Sequence, residues 1–211
     1  MGTQFDGLGH IGVLVGAEGD LNGMRFYNGF TGAEMVSASG LKKLGVEKVK
    51  PFFTRGILLD VAGYKGRMLN LGEEITLADV RATIAKQGIA DIRAGDVVLF
   101  NTGWGSLWMK DNARFDSGEP GIGLEVARWL ADRRIACVGS DTWATEVQPN
   151  PDASLRGPVH QELLTKNGIF NHENLDLSEL VRDRVWEFAY IFVPVPLKGA
   201  TGSPGSPIAV R

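Results

Sequence analysis

The sequence has a single cysteine, no block of lysine or arginine residues, and no hydrophobic run that approaches the length of a membrane span. Cys137 cannot form an internal disulfide, so we predict a buried structural thiol, favoured over a catalytic one, in a reducing cytoplasmic compartment. A formal charge of −3 without a basic cluster makes nucleic acid an unexpected partner. Because about 20 consecutive apolar residues are needed to cross a bilayer, we predict no membrane association. A small molecule is therefore the expected ligand.

The apolar runs are short and alternate with helical patterns. Hydrophobic residues make up 44% of the chain and charged residues 22%, which is typical of a soluble globular protein, and 211 residues fit one domain spanning 1–211. Four runs bounded by glycine or charge predict buried strands at 56–62, 96–100, 136–139 and 187–195. The tail from Gly199 to Pro207 is predicted to be irregular, either a packed loop or a disordered end.

Three helices are predicted between these strands. The first begins after Thr76, which opens a capping-box signature, and ends at Gly88. The second follows Pro120, and the third runs from Pro158 to Gly168. The apolar positions that define the second helix are Ile122, Val126, Trp129 and Leu130. Strands alternating with helices of this length predict an α/β domain.

Chemistry-bearing residues gather in the first ten positions. Asp6 and His10 are four residues apart in a segment too rich in glycine for a stable helix, so the backbone is free to direct both side chains to one point. Carboxylate oxygen and imidazole nitrogen bind divalent cations at about 2.0 to 2.2 Å, and such ligands often come from distant parts of a chain. His160 and the pair formed by His172 and Glu173 are distant donors of this kind, although a lone histidine is more often an ordinary core or surface residue.

The segment G-T-Q-F-D-G-L-G-H at 2–10 resembles the cyclase-family signature H-x-G-T-H-x-D-x-P-x-H. Gln4 replaces the second histidine of the signature, and the proline of the signature is absent. Further stretches resemble that family, which includes kynurenine formamidase and isatin hydrolase, in the same order. They are a strand-like run at 55–60, a G-D-x-V-L-x-x-T-G-W segment at 95–104, a G-x-D-T strand end at 139–142, P-V-H at 158–160 and E-N-L at 173–175.

The resemblance implies a mixed, partly barrel-like sheet flanked by helices, the swivelling β/β/α-type domain of the family, assembled as a homodimer or higher homo-oligomer. It implies that Asp6, His160 and Glu173 bind a divalent metal and that His10 transfers protons beside it. The implied activity is hydrolysis of a small cyclic amide, imide, lactam, formamide or ester by metal-activated water. Either Glu173 or Asp6 would accept the proton of that water.

Departures from the signature change these expectations. The first signature histidine would precede Met1, so we expect a chain truncated at its amino end and one metal ion rather than two. Gln4 offers an amide oxygen in place of imidazole, which favours Mn²⁺, with Zn²⁺ as the other candidate, unless Gln4 lies behind the ligands without touching the metal. The same departures leave open a catalytically silent family member that binds a ligand or serves as an assembly subunit.

Aromatic residues near the motif segments are candidates for substrate binding, namely Trp104, Trp143 and Tyr27. Core packing is the alternative for the two tryptophans, and a simple turn is the alternative for Tyr27. His172 has no matched family role and is predicted to be structural. Asp60 and Asp141 stand at strand ends and are predicted to anchor loops.

Overall fold

The computed structural model describes residues 2–211, and its centre is a mixed eight-stranded sheet that curls into a half-barrel flanked by helices. This confirms the predicted fold class. The strands are β1 (Gln4–Asp6), β2 (Val13–Leu14), β3 (Met24–Arg25), β4 (Val36–Ser37), β5 (Gly40–Leu41), β6 (Phe52–Asp60), β7 (Glu74–Ile75), β8 (Val97–Asn101), β9 (Gly121–Ile122), β10 (Cys137–Ser140), β11 (Phe170–Glu173), β12 (Glu187–Phe192), β13 (Gly202–Pro204) and β14 (Ile208–Val210). The helices are α1 (Gly32–Met35), α2 (Val61–Lys65), α3 (Leu77–Gln87), α4 (Asn112–Phe115), α5 (Leu124–Asp132), α6 (Pro158–His160) and α7 (Ser178–Arg182). Within the described range, no helix is both long and apolar enough to cross a bilayer.

The large sheet has the strand order β13-β1-β11-β10-β8-β6-β12-β14. Its four central strands, β11, β10, β8 and β6, run parallel, and each flanking strand pairs antiparallel with its neighbour. Strands β8 and β10 are almost entirely buried, as expected of parallel strands covered on both faces. Cys137 lies in β10 and is fully buried, as predicted for a structural thiol.

Local signals place α3 where the sequence predicts it. The Thr76 hydroxyl accepts a hydrogen bond from the Asp79 backbone N–H at 3.2 Å, and the Asp79 carboxylate accepts one from the Thr76 backbone N–H at 3.0 Å. The helix ends at Gly88, which adopts a φ of 70° that favours glycine. Helix α5 begins later than predicted, because Ile122 pairs in parallel with Ile75 in a separate two-stranded sheet.

Other predicted boundaries also differ from the structure, and the run predicted as a strand at 187–195 is a strand only as far as Phe192. The run at 56–62 is a strand only as far as Asp60, whose carboxylate accepts a hydrogen bond from the Gly63 backbone N–H at 2.9 Å and so starts α2. The tail is also more regular than predicted, since β13 pairs with β1. Gly202 of β13 lies so close to β1 that a Cβ there would stand 2.5 Å from the Phe5 carbonyl oxygen. Pro204 is compatible with this strand because β13 is an edge strand.

Candidate metal centre

Strands β1 and β11 bring four polar side chains onto one face of the sheet. Gln4 lies opposite Glu173, and Asp6 lies opposite Asn171. Because successive side chains of a strand point to opposite faces, these four share a face, and the intervening pair of Phe5 and His172 occupies the other. We call the four residues the polar square. Asp6, Asn171 and Glu173 are buried, whereas Gln4 is half-buried beside an open cavity.

The opposite face anchors both strands in an aromatic core. The Phe5 ring packs 5.1 Å from the rings of Phe170 and Phe192. His172 Nδ1 lies 2.6 Å from the Tyr190 hydroxyl, and burial lowers the pKa of His172 to about 3, so its ring is neutral. This position agrees with the predicted structural role of His172. The buried aromatic face therefore fixes how the polar face is presented.

His160 reaches the polar square from the helical segment that begins at Pro158. The fully buried Glu146 accepts hydrogen bonds from the backbone N–H groups of Val159 at 3.2 Å and His160 at 3.4 Å, and it also contacts His160 Nδ1. The other ring nitrogen, Nε2, then lies 3.6 Å from Asp6 Oδ2 and 3.3 Å from Glu173 Oε1. Burial alone would lower the pKa of His160, but its contacts with Asp6, Glu146 and Glu173 raise this pKa well above the usual value.

A second buried carboxylate orders the loop that carries Glu146. Glu119 accepts hydrogen bonds from the backbone N–H groups of Trp143 at 2.7 Å and Ala144 at 2.9 Å. Burial raises the pKa of Glu119 to about 8 against the opposing effect of these donors. Glu119 thus holds Trp143 and Ala144 at the start of the segment that carries Glu146, Glu146 holds His160, and His160 faces the square.

His10 approaches from the open side of the site. A turn closed by the hydrogen bond from its backbone N–H to the Gly7 carbonyl at 3.0 Å returns the chain towards β1. Gly7 is needed because a Cβ there would stand 2.9 Å from the Thr201 carbonyl oxygen. His10 Nδ1 lies 3.7 Å from Asp6 Oδ1, and the histidine side chain is 39% exposed whereas that of Asp6 is 4% exposed. His10 therefore connects the buried acid to the adjoining cavity.

These donors fit a divalent cation. One ligand atom each from Asp6, His10 and His160 lies within 4.8 Å of the others, and Glu173 adds a second carboxylate beside His160 Nε2. Burial raises the pKa of Glu173, so a positive charge nearby favours its ionised form, and a divalent ion would supply that charge in place of a protonated His160. Across residues 2–211, Asp6 and Glu173 form ion pairs with histidine and not with lysine or arginine. Two carboxylates with imidazole suit Mn²⁺ or Zn²⁺.

The remaining predicted site residues lie apart from this centre. Trp104 is fully buried, and the indole N–H groups of Trp104 and Trp143 both donate to the Phe115 carbonyl, at 3.3 and 3.1 Å. Tyr27 lies in a 3₁₀ turn against Gly168, where a Cβ would stand 2.5 Å from its ring. Packing accounts for the position of Trp104 and a turn for that of Tyr27. None of the three aromatic residues lines the cavity beside Asp6 and His10.

The two strand-end aspartates accept hydrogen bonds from neighbouring backbone, Asp60 from a helix start and Asp141 from the segment after β8. Asp60 caps α2 and also accepts a hydrogen bond from the Asn101 side chain at 2.7 Å. Asp141 accepts hydrogen bonds from the backbone N–H groups of Thr102 at 2.9 Å and Gly105 at 3.1 Å. Both carboxylates therefore hold neighbouring backbone segments in place.

Three residues at the centre were not identified from the sequence: Glu119, Glu146 and Asn171. Glu146 lies in an irregular loop, and Glu119 lies ahead of that loop in the chain. No regular spacing relates either residue to His160. Asn171 stands two residues before Glu173, and the period of two in a strand is the one signal that indicates a shared face.

Comparisons with known proteins point in one direction. The family model described as putative cyclase matches residues 1–147. A crystal structure described as a novel cyclase is 34% identical over 99% of this chain and 68% of its own length, with a TM-score of 0.84. Isatin hydrolase A from Labrenzia aggregata, bound to benzyl benzoate, is 22% identical over 99% of this chain and 72% of its own, with a TM-score of 0.69. A predicted metal-dependent hydrolase from Bacillus stearothermophilus is 22% identical over 99% of this chain and 76% of its own, with a TM-score of 0.56. These last two show a shared fold.

No curated protein sequence matches the chain significantly. The family model nevertheless covers more than half of the residues, and the 34% identical structure covers almost all of them. The chain therefore belongs to the putative cyclase family.

Proposed function

We propose that this chain is a metal-dependent hydrolase that cleaves a C–N or C–O bond of a small cyclic amide, imide, lactam, formamide or ester. The observation that carries the proposal is the buried convergence of Asp6, His160 and Glu173 without a lysine or arginine partner in the described part of the chain. Solved structures with the same fold include an isatin hydrolase and a predicted metal-dependent hydrolase, which supports this reaction class.

Asp6, His160 and Glu173 would hold one divalent ion, Mn²⁺ or Zn²⁺. When bound, such an ion supplies Lewis acidity, which acidifies water and polarises a carbonyl oxygen. Gln4 supports Glu173 from behind, since its side-chain amide donates to Glu173 Oε2 and not to the oxygen that faces His160. Glu146 fixes the ring of His160 so that Nε2 points at the two acids.

The proton steps fall to His10 and one acid. His10 borders the cavity and lies 3.7 Å from Asp6, so it can deliver a proton to a leaving nitrogen or oxygen. Either Glu173 or Asp6 accepts the proton from the attacking water. Both acids are buried, which strengthens the interactions of charges within the site.

The adjoining cavity suits a small substrate. It is an open cavity of about 400 Å³, and its lining includes Gln4, Asp6 and His10 together with residues 200–204. Pockets for small molecules usually occupy about 300 to 1,000 Å³. Assembly as a homodimer or higher homo-oligomer stays a prediction, which light scattering on the purified protein would check.

A substrate panel tests the proposal most directly. Purified protein would be treated with chelator, reloaded with Mn²⁺ or Zn²⁺, and assayed against aryl formamides, isatin, lactones and cyclic imides. We expect about one tightly held ion per chain, hydrolysis of at least one compound class, loss of activity with chelator and recovery with metal. The His160→Ala variant, purified identically, controls for contaminating hydrolases.

Two results would contradict the proposal in different ways. Protein that binds neither ion after reloading would show that the convergence of acids and histidine is not a metal centre. Protein that binds an ion with full stoichiometry but hydrolyses none of the panel would favour the silent alternative, a ligand-binding or assembly subunit.

A further inference from the structure

One corner of the polar square has no assigned role. Gln4, Asp6 and Glu173 are accounted for by the proposed function, whereas Asn171 is not. Asn171 lies directly across from Asp6 and two residues before Glu173, so its side chain shares their face. It is 2% exposed and belongs to neither the aromatic core nor the cavity lining.

The Asn171 side-chain amide lies where the proposed ligand atoms converge. Its nitrogen Nδ2 is 2.8 Å from Glu173 Oε1, 3.2 Å from Asp6 Oδ2 and 3.4 Å from His160 Nε2. These are the atoms of the two acids and the histidine that face one another across the site. The Gln4 amide, in contrast, contacts the outer oxygen of Glu173. Of the two carboxamides, Asn171 is therefore the one at the centre.

The other atom of the same amide, Asn171 Oδ1, is buried without a hydrogen-bond partner. A buried carbonyl oxygen that lacks a partner is unfavourable, and native structures rarely retain one without a reason. The oxygen and nitrogen of an asparagine amide exchange places on rotation by a half turn about one bond. The exchange would put Oδ1 beside the two carboxylates and His160, an arrangement that a cation between them would favour.

We propose that Asn171 is a ligand of the metal centre and supplies its carboxamide oxygen to the ion held by Asp6, His160 and Glu173. This inference rests on the proposed function, because it requires the centre to bind a divalent ion. The two acids already match the charge of such an ion, so a neutral oxygen completes the shell without excess negative charge. An amide oxygen is a hard donor and favours Mn²⁺ relative to Zn²⁺.

Two substitutions at this position separate a ligand from a residue that only fills space. Asn171→Leu keeps the approximate size but removes the oxygen, whereas Asn171→Asp keeps an oxygen donor and adds a charge. Tyr190→Phe is the matched control, because it removes the 2.6 Å contact with His172 on the opposite face of the same sheet region. Affinities for Mn²⁺ and Zn²⁺ would be measured by competition with a chromophoric chelator, and melting temperatures with EDTA and with excess Mn²⁺.

We expect Asn171→Leu to weaken Mn²⁺ binding by at least about 10 to 100-fold, the loss typical even of groups one shell beyond the metal, and to weaken Zn²⁺ binding less. Asn171→Asp should melt lower than wild type in EDTA, because a third carboxylate joins Asp6 and Glu173, and should gain more from Mn²⁺ than wild type does. Tyr190→Phe should lower the melting temperature and leave both affinities unchanged.

The inference is overturned if Asn171→Leu binds Mn²⁺ within about twofold of wild type, or if the Leu and Asp variants weaken binding equally. If Asn171→Leu does not fold, the Asp variant is the test. A Mn²⁺-induced rise in its melting temperature that exceeds that of wild type supports the inference, and an equal or smaller rise overturns it. Wild-type protein that binds neither ion would instead refute the metal centre itself, which distinguishes failure of the proposed function from failure of this assignment.

Discussion

Carboxylates gather in two regions of this molecule, and they are neutralised differently. Near the start of α3, Glu73 and Asp79 surround Lys65, whose Nζ lies 3.2 and 3.0 Å from their oxygens, and Arg67 binds Glu73 with both terminal nitrogens at 2.8 and 2.9 Å. We call this group the surface cluster. The hydrogen bonds from Arg67 are the main cause that lowers the pKa of Glu73 to about 2, so this acid is ionised at neutral pH.

The polar square has the opposite balance. Asp6 and Glu173 are buried, burial raises the pKa of Glu173, and within residues 2–211 the side chains that form ion pairs with these acids are histidines. Ionised acids without adequate partners are unstable in a protein interior. The surface cluster is neutralised by lysine and arginine, whereas the polar square pairs with histidine and, under the proposed function, would be completed by a divalent cation. The comparison separates a structural ion-pair network from a binding centre.

The largest expected effect is loss of metal from the square. His160→Ala removes the ring nitrogen that faces both acids, whereas His172→Ala removes a neutral ring from the aromatic face. We expect the first variant to lose most of its metal after dialysis and the second to retain it, measured by elemental analysis per mole of folded protein. Equal metal loss in the two variants would remove the distinction between the two faces.

The next effect concerns proton transfer. His10→Ala should keep its metal and its melting temperature, because His10 is partly exposed at the cavity. Its kcat on amide substrates should fall by about 10² to 10⁴-fold, the usual contribution of a general acid or base. The loss should shrink for activated aryl esters, which depart without a proton. A variant that arrives without metal would make His10 a ligand, and normal amide turnover would leave it without a catalytic part.

A smaller effect is expected one contact away from the centre. Glu146→Gln keeps the shape of the side chain but removes the charge beside His160 Nδ1. Metal affinity should fall by about 10 to 100-fold, as is typical for a group that orients a ligand. Glu162→Gln is the control. Glu162 lies two residues after His160, pairs with Lys166 and does not contact the His160 ring. An unchanged affinity in Glu146→Gln would mean that His160 needs no such orientation.

The smallest effect is expected in the surface cluster. Because the folded-state pKa of Glu73 lies below its ordinary value, its ion pairs add stability above about pH 4.5 and lose it as the pH falls towards 2. Surface ion pairs contribute about 1 kcal/mol or less, so Glu73→Gln should lower the melting temperature at pH 7 by no more than about 4 °C. The difference from wild type should shrink on acidification. Glu179→Gln, in a far more exposed pair with Arg182, should show no change at either pH.

The sequence predicted elements whose signals are local and missed those set by distant partners. Helix α3 follows from Thr76 and Gly88, which lie at its own ends. Strand β13 could not be predicted, because its Gly-Ser-Pro composition indicates a loop and its pairing depends on β1 at the other end of the chain. Pairing through backbone groups leaves little trace in side-chain composition.

The candidate centre shows the same limit. Resemblance to a family indicated Gln4, Asp6, His10, His160 and Glu173, and the structure brings these residues together. Sequence spacing alone would not have indicated that these residues meet, because β1 and β11 are far apart in the chain. Asp6 and Asn171, which lie across from each other, are separated by 165 residues. Glu146 and Glu119 act through an irregular loop, where no periodicity relates a residue to its partner.

The position of β1 has a consequence for how the protein is made. This strand carries Gln4 and Asp6, and it is held between β11 and β13, which follow it at a long distance in the chain: Asp6 and its partner Asn171 are 165 residues apart. During synthesis its backbone has neither neighbour, and pairing across such separations is slow because a very long loop must close. We therefore expect Asp6 and Glu173 to come together only after β11 has been synthesised, so any ion that the proposed centre binds would be captured late in folding.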